Sequence, residues 1–146
     1  MSSALIKHEL IKKYSTVWMD ALRDGKSELV NTNKLVRYYS GATGLKTGTT
    51  SKAGCCVSAT AERDGMELVA VIMGGENSNE RFSGAKKLLD YGFANWSFLK
   101  ISPKLENLTQ IPIKGGMEDT VTADCGGAFL NILTAKGTQD KITQSI

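Results

Sequence analysis

The stretch that decides the fold is CCVSATAERDGMELVAVIMGG, residues 55–75. Two runs rich in β-branched and other apolar side chains, Ala53–Glu62 and Met66–Met73, flank the tripeptide Arg63-Asp64-Gly65. Asp-Gly between two such runs is a strong signal of a tight hairpin turn. The sequence therefore predicts two neighbouring antiparallel strands in the centre of a sheet.

A helix is predicted directly after this hairpin. Polar residues 76–79 follow Gly74-Gly75 and can cap a helix that runs to about Asn95. Its apolar side chains recur at helical spacing and define one face: Phe82, Ala85, Leu89, Phe93 and Trp96. Two strands followed by an amphipathic helix predict an α+β domain, in which helices cover an antiparallel sheet.

The two ends of the chain have weaker patterns. Residues 2–14 are predicted to be one helix, because Ile6, Leu10 and Tyr14 recur every fourth position, and Trp18–Ser40 is predicted to be loops with brief extended segments. Beyond Pro103, short β-like runs are separated by glycines: Gln110–Lys114, Thr120–Ala123, Phe129–Thr134 and Lys141–Ser145. They predict two domains, residues 1–100 and residues 101–146, the second a small β domain that is truncated.

Composition excludes several classes of protein. The 146 residues are 41% hydrophobic and 23% charged, which is typical of a globular chain rather than a disordered one. The net charge of +3 is spread along the chain, so no nucleic-acid partner is expected, and no apolar run reaches the roughly 20 residues of a membrane span. The chain has one histidine and three cysteines, Cys55, Cys56 and Cys125, which are too few for a zinc site or a disulfide framework. The thiols are therefore expected to be buried as small apolar side chains, and no cofactor is predicted.

The candidate site is Lys46-Thr47-Gly48, in the setting GLKTGTTSKAG, residues 44–54. Near the end of a strand, an ammonium and a hydroxyl can both be turned toward a cleft, and the glycine lets a ligand approach the backbone. Such a strand can hold an extended peptide by main-chain hydrogen bonds, with Lys46 and Thr47 available for a carboxylate or carbonyl. The alternative is that these residues form an ordinary solvated strand end.

The runs GLKTGTTSKAG, CCVSATAERDGMELVAVIMGG and NERFSGAKKLLDYGF together resemble a known family. They are similar to the low-molecular-weight penicillin-binding proteins that act as serine D-Ala-D-Ala carboxypeptidases. The resemblance implies that the chain is part of a β-lactamase/transpeptidase-like domain, followed by the start of the family's C-terminal β domain. It also implies an extracytoplasmic, cell-envelope parent protein that trims the terminal D-alanine from peptidoglycan stem peptides and is acylated by β-lactam antibiotics.

The resemblance also assigns roles to single residues. Lys46, Thr47 and Gly48 correspond to the K-T-G motif of the strand that edges the active site, with Lys46 as the catalytic member. Thr49 follows in a position that faces the substrate, and Arg81 stands where the family has a basic residue for the substrate's terminal carboxylate. Thr47, Gly48, Thr49 and Arg81 are therefore expected to bind substrate.

The family's other two motifs, S-x-x-K with the nucleophilic serine and S-x-N, are missing from residues 1–43. A literal S-x-x-K, Ser83 to Lys86, lies after K-T-G within the predicted helix, where the family has no nucleophile. We therefore expect a piece of the enzyme that is inactive alone, lacks a signal and an anchor, needs the missing N-terminal half of its domain and can self-associate. The alternative is a non-catalytic binding or interaction module on the same scaffold.

Overall fold

The computed structural model describes residues 1–101, 110–121 and 130–143. It divides into two compact units, Met1–Asn95 and Trp96–Ile146. The first unit contains, in chain order, α1 (Ser2–Leu5), α2 (Glu9–Ser15), β1 (Met19–Leu22), β2 (Ser27–Val30), α3 (Leu35–Tyr38), β3 (Ala42–Thr50), β4 (Gly54–Arg63), β5 (Met66–Gly75) and α4 (Ser78–Asn95).

The sheet of the first unit has the antiparallel strand order β3-β4-β5. The predicted hairpin is confirmed: β4 and β5 pair with Arg63 opposite Met66, and Asp64 and Gly65 have φ values of 51° and 75°. Positive φ at both central residues is what a type I′ turn requires, and Asp-Gly adopts it readily. K-T-G lies on β3, which pairs with β4 and has no second partner among the described strands.

One face of this sheet packs against α4. The buried side chains of that layer are contributed by α3, the residue that follows it, the sheet and α4: Leu35, Tyr39, Val57, Ala59, Ala61, Met66, Ala70, Phe82, Ala85, Leu89 and Phe93. Four of the five residues predicted for the apolar helix face are in this core. The prediction for Trp96 is wrong, because the helix ends at Asn95 and Trp96 begins a strand.

The opposite face of the sheet carries α1 and α2. Because side chains alternate along a strand, Ser58 and Glu62 point away from the α4 side. Ser2 Oγ lies 2.8 Å from Ser58 Oγ, and Lys12 Nζ lies 2.9 Å from Glu62 and 3.4 Å from Glu67. The hydrogen bond to Glu62 is the main reason that the pKa of Lys12 is raised. Lys12 thus neutralises two glutamates that face each other across β4 and β5.

The single helix predicted for residues 2–14 is wrong. The structure has two short helices, α1 and α2, with residues 6–8 between them. Of the three residues that suggested one apolar stripe, Ile6 is buried, whereas Leu10 and Tyr14 are exposed. The two short helices place both Ser2 and Lys12 against the sheet.

The second unit begins with β6 (Trp96–Ile101), which pairs antiparallel with β9 (Leu130–Ala135), and β7 (Ile111–Pro112) pairs with β8 (Thr120–Val121). β7, β8 and β9 lie within or overlap the β-like runs predicted between residues 110 and 134, whereas the strand β6 was not predicted. The run at Lys141–Ser145 is not a strand where it is described, since a short 3₁₀ helix covers Gln139–Lys141, and residues 144–146 lie outside the described part. None of the helices in the described residues combines the length and the hydrophobicity of a membrane span.

Two neighbouring leucines of α4 test the assignment of its buried face. Leu89 is 1% exposed and Leu88 is 51% exposed. Leu89→Ala is expected to lower the free energy of unfolding by about 2–5 kcal/mol, because it leaves a cavity in the core. Leu88→Ala is the matched control and should change it by about 0.5 kcal/mol or less. Urea unfolding of both variants measures the difference, and equal losses would contradict the assigned face.

Tyr39 predicts a dependence of stability on alkaline pH. Burial, together with the hydrogen bond that its hydroxyl donates to Asp90 at 2.7 Å, raises the pKa of Tyr39 from 10.0 to about 12. The unfolded chain loses this proton at lower pH than the folded chain, so the stabilisation is complete below pH 10 and is lost as pH rises to about 12. Tyr39→Phe should therefore cost stability at neutral pH and progressively less above pH 10.

The exposed neighbour Tyr38 supplies the control, since Tyr38→Phe leaves the core unchanged. The measurement is the difference in unfolding free energy between each variant and the unmodified chain across this pH range. A Tyr39→Phe difference that stays constant with pH would contradict the prediction.

Candidate active site

The candidate site lies where β3 passes the first turn of α4. Thr47 and Thr49 are two residues apart on β3 and lie opposite Val57 and Cys55 of β4, so they share the face that α4 covers. Lys46 lies opposite Ser58 and belongs to the other face. The strand therefore presents hydroxyls on one side and an ammonium on the other.

Arg81 is buried at 8% exposure, and its guanidinium ties α4 to the strand. Its Nη1 donates to Thr49 Oγ1 at 3.1 Å, to the Gly48 carbonyl at 3.3 Å and to the Cys56 carbonyl at 3.4 Å, while Nη2 donates to Ser78 Oγ at 3.3 Å. These partners are neutral groups. Among the described residues no carboxylate forms an ion pair with Arg81, and its buried Nε has no hydrogen-bond acceptor.

A buried cation without a counter-ion is costly unless an anion completes its environment. Here the guanidinium contacts the hydroxyl of Thr49, a residue that is exposed to solvent, and the carbonyl of Gly48. A Cβ built on Gly48 would meet no atom within 4 Å, so the space beside the backbone is open. The arrangement can receive a small carboxylate next to an accessible backbone.

Thr47 is hydrogen-bonded to Thr32, a residue of the loop between β2 and α3. Its Oγ1 lies 2.7 Å from Thr32 Oγ1, and Thr47 is buried. The Thr32 contact was not predicted, since nothing in the local pattern links a loop residue to a strand fifteen positions later. It fixes the rotamer of the Thr47 hydroxyl beside the strand edge.

Lys46 is exposed, and its Nζ donates to the Thr47 carbonyl at 2.6 Å. Its side chain borders a groove of about 600 Å³ between β3 and the amino-terminal helices, whose lining includes Leu5, Tyr14 and Ser58. The structure thus brings Thr49, Gly48 and Arg81 into direct contact and places Lys46 at the edge of a different, largely apolar groove.

Ser83 does not share this site. It lies on the exposed side of α4, where its Oγ donates to the Glu80 carbonyl of the same helix at 3.1 Å. It borders a separate groove of about 250 Å³ together with Lys34 and Lys86. A hydroxyl that donates to a helix carbonyl is not activated by a base. This geometry supports the sequence-based view that Ser83-x-x-Lys86 is not the nucleophile motif.

Cys55 and Cys56 form no disulfide with one another or with any other described residue, and both are only partly buried, so the prediction that they are buried is wrong. The cause is their place near the open end of β4, where the pairing with β5 is irregular between Cys55 and Val57. Cys55 faces Thr49, a neighbour that the hairpin register alone could have indicated. Cys125 lies outside the described residues, and the described residues contain no group of three or more potential metal ligands.

Comparison with known proteins agrees with this geometry. A family model described as D-alanyl-D-alanine carboxypeptidase matches residues 1–77, more than half of the chain. The chain is 32% identical over 140 residues to the D-alanyl-D-alanine carboxypeptidase DacF of Bacillus subtilis, covering 94% of this chain and 36% of that one. Thus it spans little more than a third of this curated relative.

Solved structures show the same likeness. A peptidoglycan synthesis regulatory factor (PBP3) from Streptococcus pneumoniae matches with a TM-score of 0.75 and 26% identity, over 94% of this chain and 41% of that chain. The cefotaxime-bound form of Penicillin-Binding Protein D2 from Listeria monocytogenes matches with a TM-score of 0.58 and 30% identity, over 63% and 37% of the two chains.

The fold is thus the α+β fold of penicillin-binding proteins, with an antiparallel sheet covered by helices, as the sequence predicted. Within that class, the chain belongs to the D-alanyl-D-alanine carboxypeptidase family, which confirms the resemblance found in its sequence.

Proposed function

We propose that this chain supplies the substrate-binding strand of a serine D-Ala-D-Ala carboxypeptidase that acts on peptidoglycan stem peptides. The observation that carries the proposal is Arg81, a buried cation that has no counter-ion among the described residues and that contacts Gly48 and Thr49 of the K-T-G strand. A free C-terminal carboxylate is the anion that a carboxypeptidase must recognise. Such a substrate would complete the hydrogen bonding of the guanidinium.

In this proposal each residue has a separate task. The substrate lies extended along the free edge of β3 and bonds to its backbone, as peptides do at other sheet edges. Gly48 leaves room for the chain, Thr47 and Thr49 donate hydroxyl hydrogen bonds, and Arg81 binds the terminal carboxylate. Lys46 is the catalytic member, whose positive charge stabilises the negative charge that develops when a serine attacks the carbonyl between the two D-alanines.

The nucleophilic serine is contributed by a part of the protein outside residues 1–146. The attack forms an acyl-enzyme and releases D-alanine, and water then hydrolyses the acyl-enzyme. β-Lactam antibiotics acylate the same serine. The parent protein is accordingly extracytoplasmic, with residues 1–100 in its transpeptidase-like domain and residues 101–146 in the β domain that follows.

The groove beside Lys46 is the surface on which the missing half of the catalytic domain packs. Its lining includes Leu5 and Tyr14, both of which expose apolar surface. Exposed apolar side chains around a groove are typical of an interaction surface. Packing here would bring the serine toward Lys46, and without it the chain is inactive and can self-associate.

Binding of the dipeptide acetyl-D-Ala-D-Ala to residues 1–146 tests the role of Arg81. The chain is expected to bind this peptide, and Arg81→Gln should weaken binding about tenfold or more, because a hydrogen bond between charged partners contributes about 1.5–3 kcal/mol. Arg81→Lys should lose less, since it keeps the charge. NMR titration measures the affinity and also reports whether each variant is folded.

The amide acetyl-D-Ala-D-Ala-NH₂ is the matched ligand control, because it lacks the carboxylate. It should bind weakly to the unmodified chain and equally weakly to Arg81→Gln. If the acid and the amide bind the folded unmodified chain with the same affinity, Arg81 is not a carboxylate site.

Acylation by penicillin tests whether the missing half of the domain supplies the nucleophilic serine and this chain supplies Lys46. Residues 1–146 alone should gain no covalent mass with benzylpenicillin. A hybrid in which they replace the matching segment of DacF should gain one adduct. Lys46→Ala in the hybrid should slow acylation by about 100-fold or more, the scale on which loss of one transition-state contact acts. Intact mass spectrometry over time measures all three.

Lys52→Ala in the hybrid is the control for general loss of charge, since Lys52 is an exposed lysine six residues further along the chain. It should leave acylation unchanged. An adduct on residues 1–146 alone that disappears in Ser83→Ala would overturn the proposal and would favour Ser83 as a nucleophile.

A further inference from the structure

The adjacent thiols Cys55 and Cys56 occupy different environments. Cys55 lies opposite Thr49 and Cys56 opposite Gly48, so their side chains leave opposite faces of β4. Cys56 Sγ donates to the Ala53 carbonyl at 3.2 Å within its own turn. Cys55 Sγ instead accepts a hydrogen bond from Thr49 Oγ1 at 3.8 Å.

Cys55 is thereby the end of a polar chain that starts at Arg81. The Arg81 guanidinium donates to Thr49 Oγ1, and Thr49 Oγ1 donates to the Cys55 sulfur. Cys55 is partly exposed, so a small molecule can reach it. Arg81 is more than nine-tenths buried, and within the described residues its Nε–H has no acceptor and its charge no counter-ion. An anion that enters beside Arg81 and Thr49 therefore also meets the Cys55 thiol.

We propose that Cys55 is a covalent modification site for small thiol-reactive molecules that carry a carboxylate. Arg81 and Thr49 hold the carboxylate while the neighbouring sulfur reacts. The modified side chain then occupies the position of the substrate's terminal carboxylate and closes the site, a consequence that rests on the function proposed above. The side chain of Cys56 lies on the other face of β4, where Arg81 and Thr49 cannot hold the carboxylate of a reagent. Cys56 therefore does not prefer reagents that carry a carboxylate.

Iodoacetate is the simplest reagent of this class. The Cys55 sulfur forms an S–C bond with the methylene carbon, the C–I bond breaks, iodide leaves, and the thiol proton passes to solvent. Iodoacetamide performs the same alkylation with an uncharged group of nearly equal size. The ratio of the two rates therefore isolates the effect of the carboxylate from the intrinsic reactivity and exposure of the thiol.

The experiment uses residues 1–146 with Cys125→Ser, so that one further substitution leaves a single thiol. Cys56→Ser leaves Cys55, and Cys55→Ser leaves Cys56 as the matched control. Alkylation rates are followed by intact mass spectrometry. The ratio of the iodoacetate rate to the iodoacetamide rate should be about tenfold higher at Cys55 than at Cys56, the lower end of what electrostatic attraction in a cleft produces. High salt should reduce this preference, since it screens the guanidinium.

Arg81→Lys should keep much of the preference and Arg81→Gln should abolish it. Because Arg81 is buried and Arg81→Gln could unfold the chain, the salt dependence in the protein with native Arg81 is a second, independent readout. Equal ratios at the two thiols, or a preference that does not respond to salt, would overturn the proposal.

Carboxymethylated Cys55 protein is then titrated with acetyl-D-Ala-D-Ala and is expected to have lost binding, whereas carboxymethylated Cys56 protein should retain it. Retained binding after modification of Cys55 would overturn the claim that the modification closes the site. If the unmodified chain binds no dipeptide, the proposed function fails, while the ratio of alkylation rates still decides whether Arg81 directs carboxylates to Cys55.

Discussion

The buried guanidinium of Arg81 is the constraint on which the candidate site depends. It contacts β3 through Gly48 and Thr49 and β4 through the Cys56 carbonyl, and it belongs to α4. The neighbouring strands β3 and β4 are thus held to α4, which lies further along the chain, at the strand edge. Neutral groups solvate the charge only in part, since the buried Nε of Arg81 has no acceptor among the described residues.

The alternation of side chains along β3 gives the two faces of one strand different chemistry. Thr47 and Thr49 lie on the face that α4 covers, whereas Lys46 lies on the face of the amino-terminal helices. The free edge between the two faces carries the backbone groups that a peptide can pair with. The hydroxyls are fixed by Thr32 and Arg81, and the ammonium remains exposed.

Local patterns predicted the elements whose signals are contained within a few residues. Asp64-Gly65 determines its own turn, and the apolar period of α4 marks the buried face from Phe82 to Phe93. The break at residues 6–8 was not predictable, because Leu10 and Tyr14 fit a helical stripe although only Ile6 is buried. Which apolar positions of a short helix are buried is decided by the sheet beneath it, not by the helix.

The candidate site also has features that the sequence predicted and features that it did not. The K-T-G strand was predicted from its sequence and its family resemblance. The burial of Arg81 and the contact of Thr32 with Thr47 are products of tertiary packing between distant segments and leave no local signal. Cys55 is an intermediate case, since its position opposite Thr49 follows once the hairpin between β3 and β4 is drawn in register.

The ion pairs of Lys12 have a consequence for the order of folding. Glu62 and Glu67 lie directly opposite each other in the β4–β5 hairpin, where two like charges repel. The lysine that relieves this repulsion comes from α2, fifty positions before Glu62. The hairpin can therefore nucleate early through its tight turn, but it reaches full stability only after the amino-terminal segment has docked. The contact of Lys12, which is distant in sequence, thus stabilises a hairpin whose own contacts are local.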